Sequence, residues 1–183
     1  MSNPLCPTDC TGLLPKVKSS KCAPVILLSE ITRIFVTKYD AAPFDDWTDG
    51  SEWVDRLSED GTQANVIRPL PVIGDKPAAA PVTKDISNGR KYTVGKDHTL
   101  NVKVDDVSDE NYEFMRNTEC GGQFRIWFET AGGYLYGGNE GIPVTLVLND
   151  VLASGKDSIE ELVGTATWRA KFHPERTPSP IAA

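Results

Sequence analysis

The stretch YTVGKDHTLNVKV, residues 92–104, decides how the rest of this chain is read. Tyr92, Val94, His98, Leu100, Val102 and Val104 fall on one side of a two-residue period. Thr93, Asp97, Thr99, Asn101 and Lys103 fall on the other, and Asp105 continues the polar series. Successive strand side chains point to opposite faces, so this is a strand with one face in a core and one in water. Such a strand needs neighbours, and the sequence offers them on both sides.

Upstream, VILLSEITRIFVTKY (25–39) is dense in β-branched and aromatic residues, which predicts a long strand or one with a bulge near Ser29. Downstream, Phe124, Ile126 and Phe128 alternate with Gln123, Arg125 and Glu129, and AGG at 131–133 predicts a hairpin turn into YLYGG. Ile142, Val144, Leu146, Leu148 and Leu152 predict another strand. SGKDS (154–158) reverses the chain, and Leu162, Ala166, Trp168, Ala170 and Phe172 form the apolar face of the last strand. The fold class is therefore mainly β: an antiparallel β-sandwich or barrel.

Two short helices interrupt the strands. In FDDWTDGSEWVDRLSEDG (44–61) the period changes, placing Trp53, Val54 and Leu57 on one face, with Asp49 or Ser51 as cap and a stop near Gly61. In VSDENYEFMRNTECGG (107–122) Ser108 is the expected cap, Asp109 and Glu110 fill the first turn, and Val107 and Tyr112 stand at staple positions. Gly121 and Gly122 end the helix.

The remaining segments read as extensions. Residues 1–23 are expected to be an irregular N-terminal arm, 24–173 a single β-rich domain, and 174–183 a tail whose prolines stop it from continuing a ladder. Within 66–81, VIRPLPVIGDKPAAAP, the prolines Pro69, Pro71, Pro77 and Pro81 remove amide donors, which predicts a projecting extended loop or an edge strand instead of a central one.

Composition bounds the function. At 183 residues the chain suits one domain, and four Trp, five Tyr and six Phe suffice for a sandwich or barrel core. No apolar run approaches the roughly 18 residues of a membrane span. The start, MSNPLCPTDCTGLLPKVK, lacks the pattern of a secretion signal, so the expected site of synthesis and folding is the cytoplasm. A net charge of −7 argues against nonspecific binding of nucleic-acid phosphate, although an acidic passage lets nucleic acid slide without sticking.

The search for chemistry finds little. There is no GxSxG, HExxH or P-loop, and the two histidines lie within or at the end of strands: His98 on an apolar face, as a core or rim residue, and His173 as a solvated one. Glycine pairs at 121/122, 132/133 and 137/138 read as turns, since none stands between a strand and a helix as a phosphate cradle requires. Asp45, Asp46, Asp49, Glu52 and Asp55 lack EF-hand spacing and read as a solvated helix start in preference to a calcium loop. Cys6, Cys10 and Cys22, with Cys120, His98 or His173 as a fourth ligand, could hold zinc, but one close pair where ribbons have two favours simple thiols. The expectation is no enzyme and no cofactor. Trp127, Tyr134 and Tyr136 offer a possible exposed aromatic patch, for a sugar or a partner subunit, unless the second helix or the proline-rich loop covers it.

The order of elements in YTVGKDHTLNVKVDDVSDENYEFMRNTECGGQFRIWFETAGGYLYGG, followed by IPVTLVLNDV and VGTATWRAKF, resembles that of bacteriophage tail tube proteins and their relatives in contractile injection systems. The resemblance covers roughly residues 92–173. It implies β subunits that associate as homo-oligomeric rings lining a channel, with arms and loops locking ring to ring. The expected function is then a noncatalytic virion subunit, a tail tube or neck ring protein assembled in the bacterial host cytoplasm beside other virion proteins, with DNA only as passing cargo. The assembly residues would be Pro69, Pro71, Pro77, Pro81, Trp127, Tyr134 and Tyr136. The alternative is a β-sandwich ligand-binding module for a glycan or host surface, with or without stabilising zinc.

Overall fold

The structure, a computed structural model, describes residues 25–58 and 65–181. The arm 1–23, with Cys6, Cys10 and Cys22, lies outside the described residues, as does Gly61. The elements run β1 (Ile31–Lys38), α1 (Gly50–Arg56), β2 (Arg68–Asp75), β3 (Ala80–Ile86), β4 (Arg90–Val104), α2 (Asp109–Thr118), β5 (Gln123–Thr130), β6 (Tyr134–Tyr136), β7 (Ile142–Val151), β8 (Glu161–Ala170) and β9 (Arg176–Pro178). All pairings are antiparallel. The order β1-β2-β4-β8-β7-β5 returns to β1 and closes a six-stranded barrel.

Closure follows from alternation. On β4, His98, Leu100, Val102 and Val104 point inward; on β7, Ile142, Val144, Leu146 and Leu148; on β8, Leu162, Ala166 and Trp168. These apolar faces fill one another only if the sheet curls round, and curling also removes the free edges of an open sheet. Gly164 takes an inward position on β8 against Leu148, where any side chain would run into the Val147 carbonyl. At one end α2 links β4 to β5, and its Met115 joins the barrel core with Val107 and Phe114 packed beside it. Ser108 caps α2 by position but not through its side chain.

A second apolar cluster lies outside the barrel. Phe35 and Trp127, paired across β1 and β5, face outward and are covered by Phe44, Trp47 and Trp53 of the segment carrying α1. The Asp49 carboxylate accepts the Ser51 amide at 2.9 Å, as the cap spacing predicts. Trp53 and Leu57 turn inward, but Val54, one residue round the helix, stays 70% exposed. The first strand also starts later than its composition suggests: residues 25–30 precede it without strand structure.

Two expectations are corrected here. Most of the stretch 66–81 does not project: β2 is a stave of the barrel, paired with β1 on one side and with β4 on the other, and only Ala80 and Pro81 enter the next strand, β3. Proline is excluded only where a neighbour requires its missing N–H, and β2 meets β4 only from Ile73 onward. Pro69 and Pro71 therefore fall in the half of β2 with a single neighbour, where Leu70 and Val72 still point into the core. The tail is likewise no free extension. Arg176–Pro178 pairs with β6, the Gly137 amide donates to the Glu175 carbonyl at 3.0 Å, and Ile181 packs on the outer cluster. Pro178 is tolerated because β9 is an edge strand with one neighbour.

Candidate assembly surfaces and the open end of the barrel

What projects is the hairpin of β3 and β4. The turn at Ser87–Gly89 places Asn88 and Gly89 at φ of 64° and 69°, the left-handed region these two residues tolerate and tight hairpins demand. From Thr83 to Val94 every residue is exposed, on both faces of the ribbon. Ile86, Tyr92 and Val94 are 45%, 53% and 41% exposed, whereas His98 and Leu100 further along β4 are buried. The sequence alternation of β4 is thus continuous, but only its second half has a barrel to face. Two-stranded ribbons are marginal in water by themselves; this one is anchored through β4, which continues into the barrel wall beside β8.

Charge divides along the same strand. The ribbon carries Lys84, Arg90 and Lys91 against Asp85. The opposite end of β4 leads into exposed Asp105, Asp106, Asp109 and Glu110 at the start of α2. With 15 residues in β4, the two groups stand on the order of 40–50 Å apart. A basic ribbon and an acidic end on one molecule are complementary between molecules.

The residues singled out from sequence divide between surface and interior. Pro81 lies on edge strand β3 of the ribbon, Pro77 in the link before it, and Pro69 and Pro71 in the barrel wall. Trp127 is not an exposed aromatic: it is 1% exposed, its Nε1–H donates to the Gly138 carbonyl at 2.8 Å, and its ring meets Phe44 and Trp53 edge-on. Alternating with Ile126 and Phe128 it takes the outward face of β5, and its cover comes from the α1 segment, with Ile67 of the stretch 66–81 in the same cluster, and not from α2. Tyr134 and Tyr136 are half-buried. Tyr136 stacks on Phe128 at 4.8 Å, and Arg176 lies 5.0 Å from the Tyr134 ring centroid. The three aromatics therefore do not form one surface patch. Cys120 is exposed.

The end of the barrel opposite α2 is open. Around it lies a cavity of about 840 Å3 whose wall includes Leu28, Ile31, Phe128, Tyr136, Lys76 and His173. Just inside, His98 is 1% exposed and stacks on Trp168, with centroids 5.0 Å apart and ring planes 4° from parallel. His173 meets His98 edge-on at 5.6 Å, and the Lys76 ammonium lies 6.0 Å from the Trp168 ring centroid. Among the described residues, neither His98 ring nitrogen nor Trp168 Nε1 has a hydrogen-bond partner. Burial lowers the His98 pKa, reinforced by Lys76 and His173. The Ala170 carbonyl pulls weakly the other way without completing a hydrogen bond. Burial, with Lys96, likewise lowers that of Lys76. Sequence parity identified His98 as an interior residue; the convergence of Lys76 and His173 on it is a product of barrel closure.

No protein-family model, curated protein or solved structure matches this chain.

Proposed function

We propose that the protein is a noncatalytic structural subunit that associates head to tail with copies of itself, the basic ribbon of one molecule seated on the acidic end of the next. The observation that carries this reading is the ribbon, exposed on both faces beyond a barrel that is otherwise closed on itself. Ribbon and acidic end are different surfaces, so the contact is heterologous: it closes into a ring or continues as a filament. Within this class, the resemblance of the element order in residues 92–173 to that of phage tail tube proteins favours a tail tube or neck ring subunit of a virion. A negatively charged wall would suit DNA passing without binding. The gripping element is then residues 80–95, which include Pro81, and not Pro69, Pro71 or Pro77.

The test is assembly of the purified full chain, viewed by negative-stain electron microscopy and sized by sedimentation. Rings or tubes are expected at low ionic strength. The triple variant Lys84→Glu/Arg90→Glu/Lys91→Glu turns three attractive contacts repulsive. At about 0.5 kcal/mol for each attraction lost and each repulsion gained, assembly should need on the order of 100-fold more protein. Reversing Asp105, Asp106 and Asp109 to Lys in the same chain should restore it. A native chain that stays monomeric at high concentration and low salt overturns the proposal.

A further inference from the structure

A second feature, independent of self-assembly, is the chemistry at the open end of the barrel. Mouths of β-barrels are favoured ligand sites, and this cavity, at about 840 Å3, is within the roughly 300–1,000 Å3 of small-molecule pockets. Its wall is two-sided in character. Leu27 and Leu28, both exposed, and the half-buried Tyr136 stacked on Phe128 form an apolar side, while Lys76, His173 and Arg176 bring cationic or titratable nitrogen to the same space. Neither Lys76 nor Arg176 forms an ion pair among the described residues, although Arg33, Arg56, Lys103, Arg125 and Arg169 all do. Glu30 and Asp75 also line the cavity, but Asp75 is engaged by the Asn101 side-chain amide at 3.2 Å. A half-buried ammonium without a counter-ion is costly. Three buried ring nitrogens without partners stand directly behind it, two on His98 and one on Trp168.

We propose that this mouth binds a small organic anion, a carboxylate carried on an apolar body, with the carboxylate held by Lys76 and the body laid along Leu27, Leu28 and Tyr136. The carboxylate gives Lys76 the counter-charge it lacks in the folded chain, and the chain or ring of the ligand covers Leu27 and Leu28, which are otherwise exposed to water. Arg176, lying against the Tyr134 ring, lets a longer or branched ligand make a second charged contact at the rim.

The experiment is calorimetric titration of the full chain with hexanoate, octanoate, decanoate and decanol. One-to-one binding of the carboxylates is expected, tightening roughly fourfold per added methylene while the chain runs along the apolar wall. Decanol should bind at least tenfold more weakly than decanoate. Lys76→Met should cost decanoate at least tenfold and leave decanol unchanged, which also shows that the variant is folded; Lys76→Arg should keep most of the decanoate affinity. Failure of decanoate to bind the native chain overturns the proposal. So does decanoate binding that Lys76→Met leaves intact. Neither result touches self-assembly, whose test is read in particle size and not in heat.

Discussion

Replacing Trp127 by Ala distinguishes a buried clamp from a surface contact. Its ring is 1% exposed, lies between Phe44 and Trp53 at centroid distances of 5.3 and 5.4 Å, and donates to Gly138 at 2.8 Å. Gly141, at φ 71°, comes so close that a Cβ there would stand 2.8 Å from the indole, so the pocket is shaped to this ring. Truncating a buried Trp costs about 3–5 kcal/mol, and leaving the Gly138 carbonyl unpaired adds about 1 kcal/mol or more. A total near 5 kcal/mol lowers the melting temperature by on the order of 10–20 °C for a chain of this length. The loss should be uneven, because this cluster lies outside the barrel core and only β1, β5 and β6 touch both. Hydrogen exchange should accelerate first at the Leu57 amide, which donates to Trp53, and at the Ile67 amide, which donates to Arg56; the β4 and β8 amides should stay protected. Trp127→Phe keeps most of the apolar area and should recover more than half of the loss. A Trp127→Ala variant destabilised by less than about 1 kcal/mol, with exchange unchanged at Leu57, would refute the burial argument and return Trp127 to the surface.

Acid should weaken the native chain through His98. Burial and the neighbouring Lys76 and His173 hold its pKa below the ordinary 6.5, so the unfolded chain binds a proton that the folded chain refuses. Stability is then fully present above pH 6.5 and lost as pH falls below it; urea unfolding at pH 7.5 and 5.5 should show this, with the drop reduced in His98→Phe. Gly164→Ala should destabilise by about 1–3 kcal/mol or more, because its Cβ meets the Val147 backbone carbonyl and the Leu148 side chain inside the wall. A variant within 0.5 kcal/mol of native in urea melts, a roughly neutral effect, would show that β7 and β8 are less closely apposed than described.

Much of the barrel was legible because alternation reports burial directly. His98 through Val104, Ile142 through Leu148 and Leu162 through Ala170 turned inward as their period requires, and Asp49 capped α1. The failures share one cause: parity tells which face a residue takes, not what covers that face. Trp127 points outward, opposite to Ile126 and Phe128, but its cover is written elsewhere, in Phe44, Trp47 and Trp53, which needed an apolar surface of their own. The prolines misled because the rule against them applies to a hydrogen-bonded edge, and the stagger of a barrel leaves half of β2 with a single neighbour. The projecting hairpin does carry a sequence signal, Asn88-Gly89 between residues of strand character, overlooked beside the prolines just before it. The open-end cluster had no sequence signature, since Lys76, His98, Trp168 and His173 meet only when β2, β4 and β8 are brought together.

Barrel and ribbon are joined by one uninterrupted strand, and this bears on how tightly copies could associate. A docking arm that is free in solution must be ordered at the moment of binding, at a cost that subtracts from every contact it makes. Here β4 leaves the barrel wall at Lys96, the first of nine residues paired to β8, and continues as one side of the ribbon paired to β3. The bulge at Val94, between the Gly95–Val82 and Thr93–Thr83 pairs, sets the angle at which the ribbon departs. Its direction is therefore inherited from the barrel and not chosen on contact, so a modest interface of Ile86, Tyr92, Val94 and three basic side chains can suffice where a flexible arm of the same composition would not. Removing the bulge by deleting Val94 would keep every charge on the ribbon while re-aiming it. If head-to-tail contact depends on that inherited direction, assembly should fail in the deletion variant even though the salt dependence of its weak residual association remains.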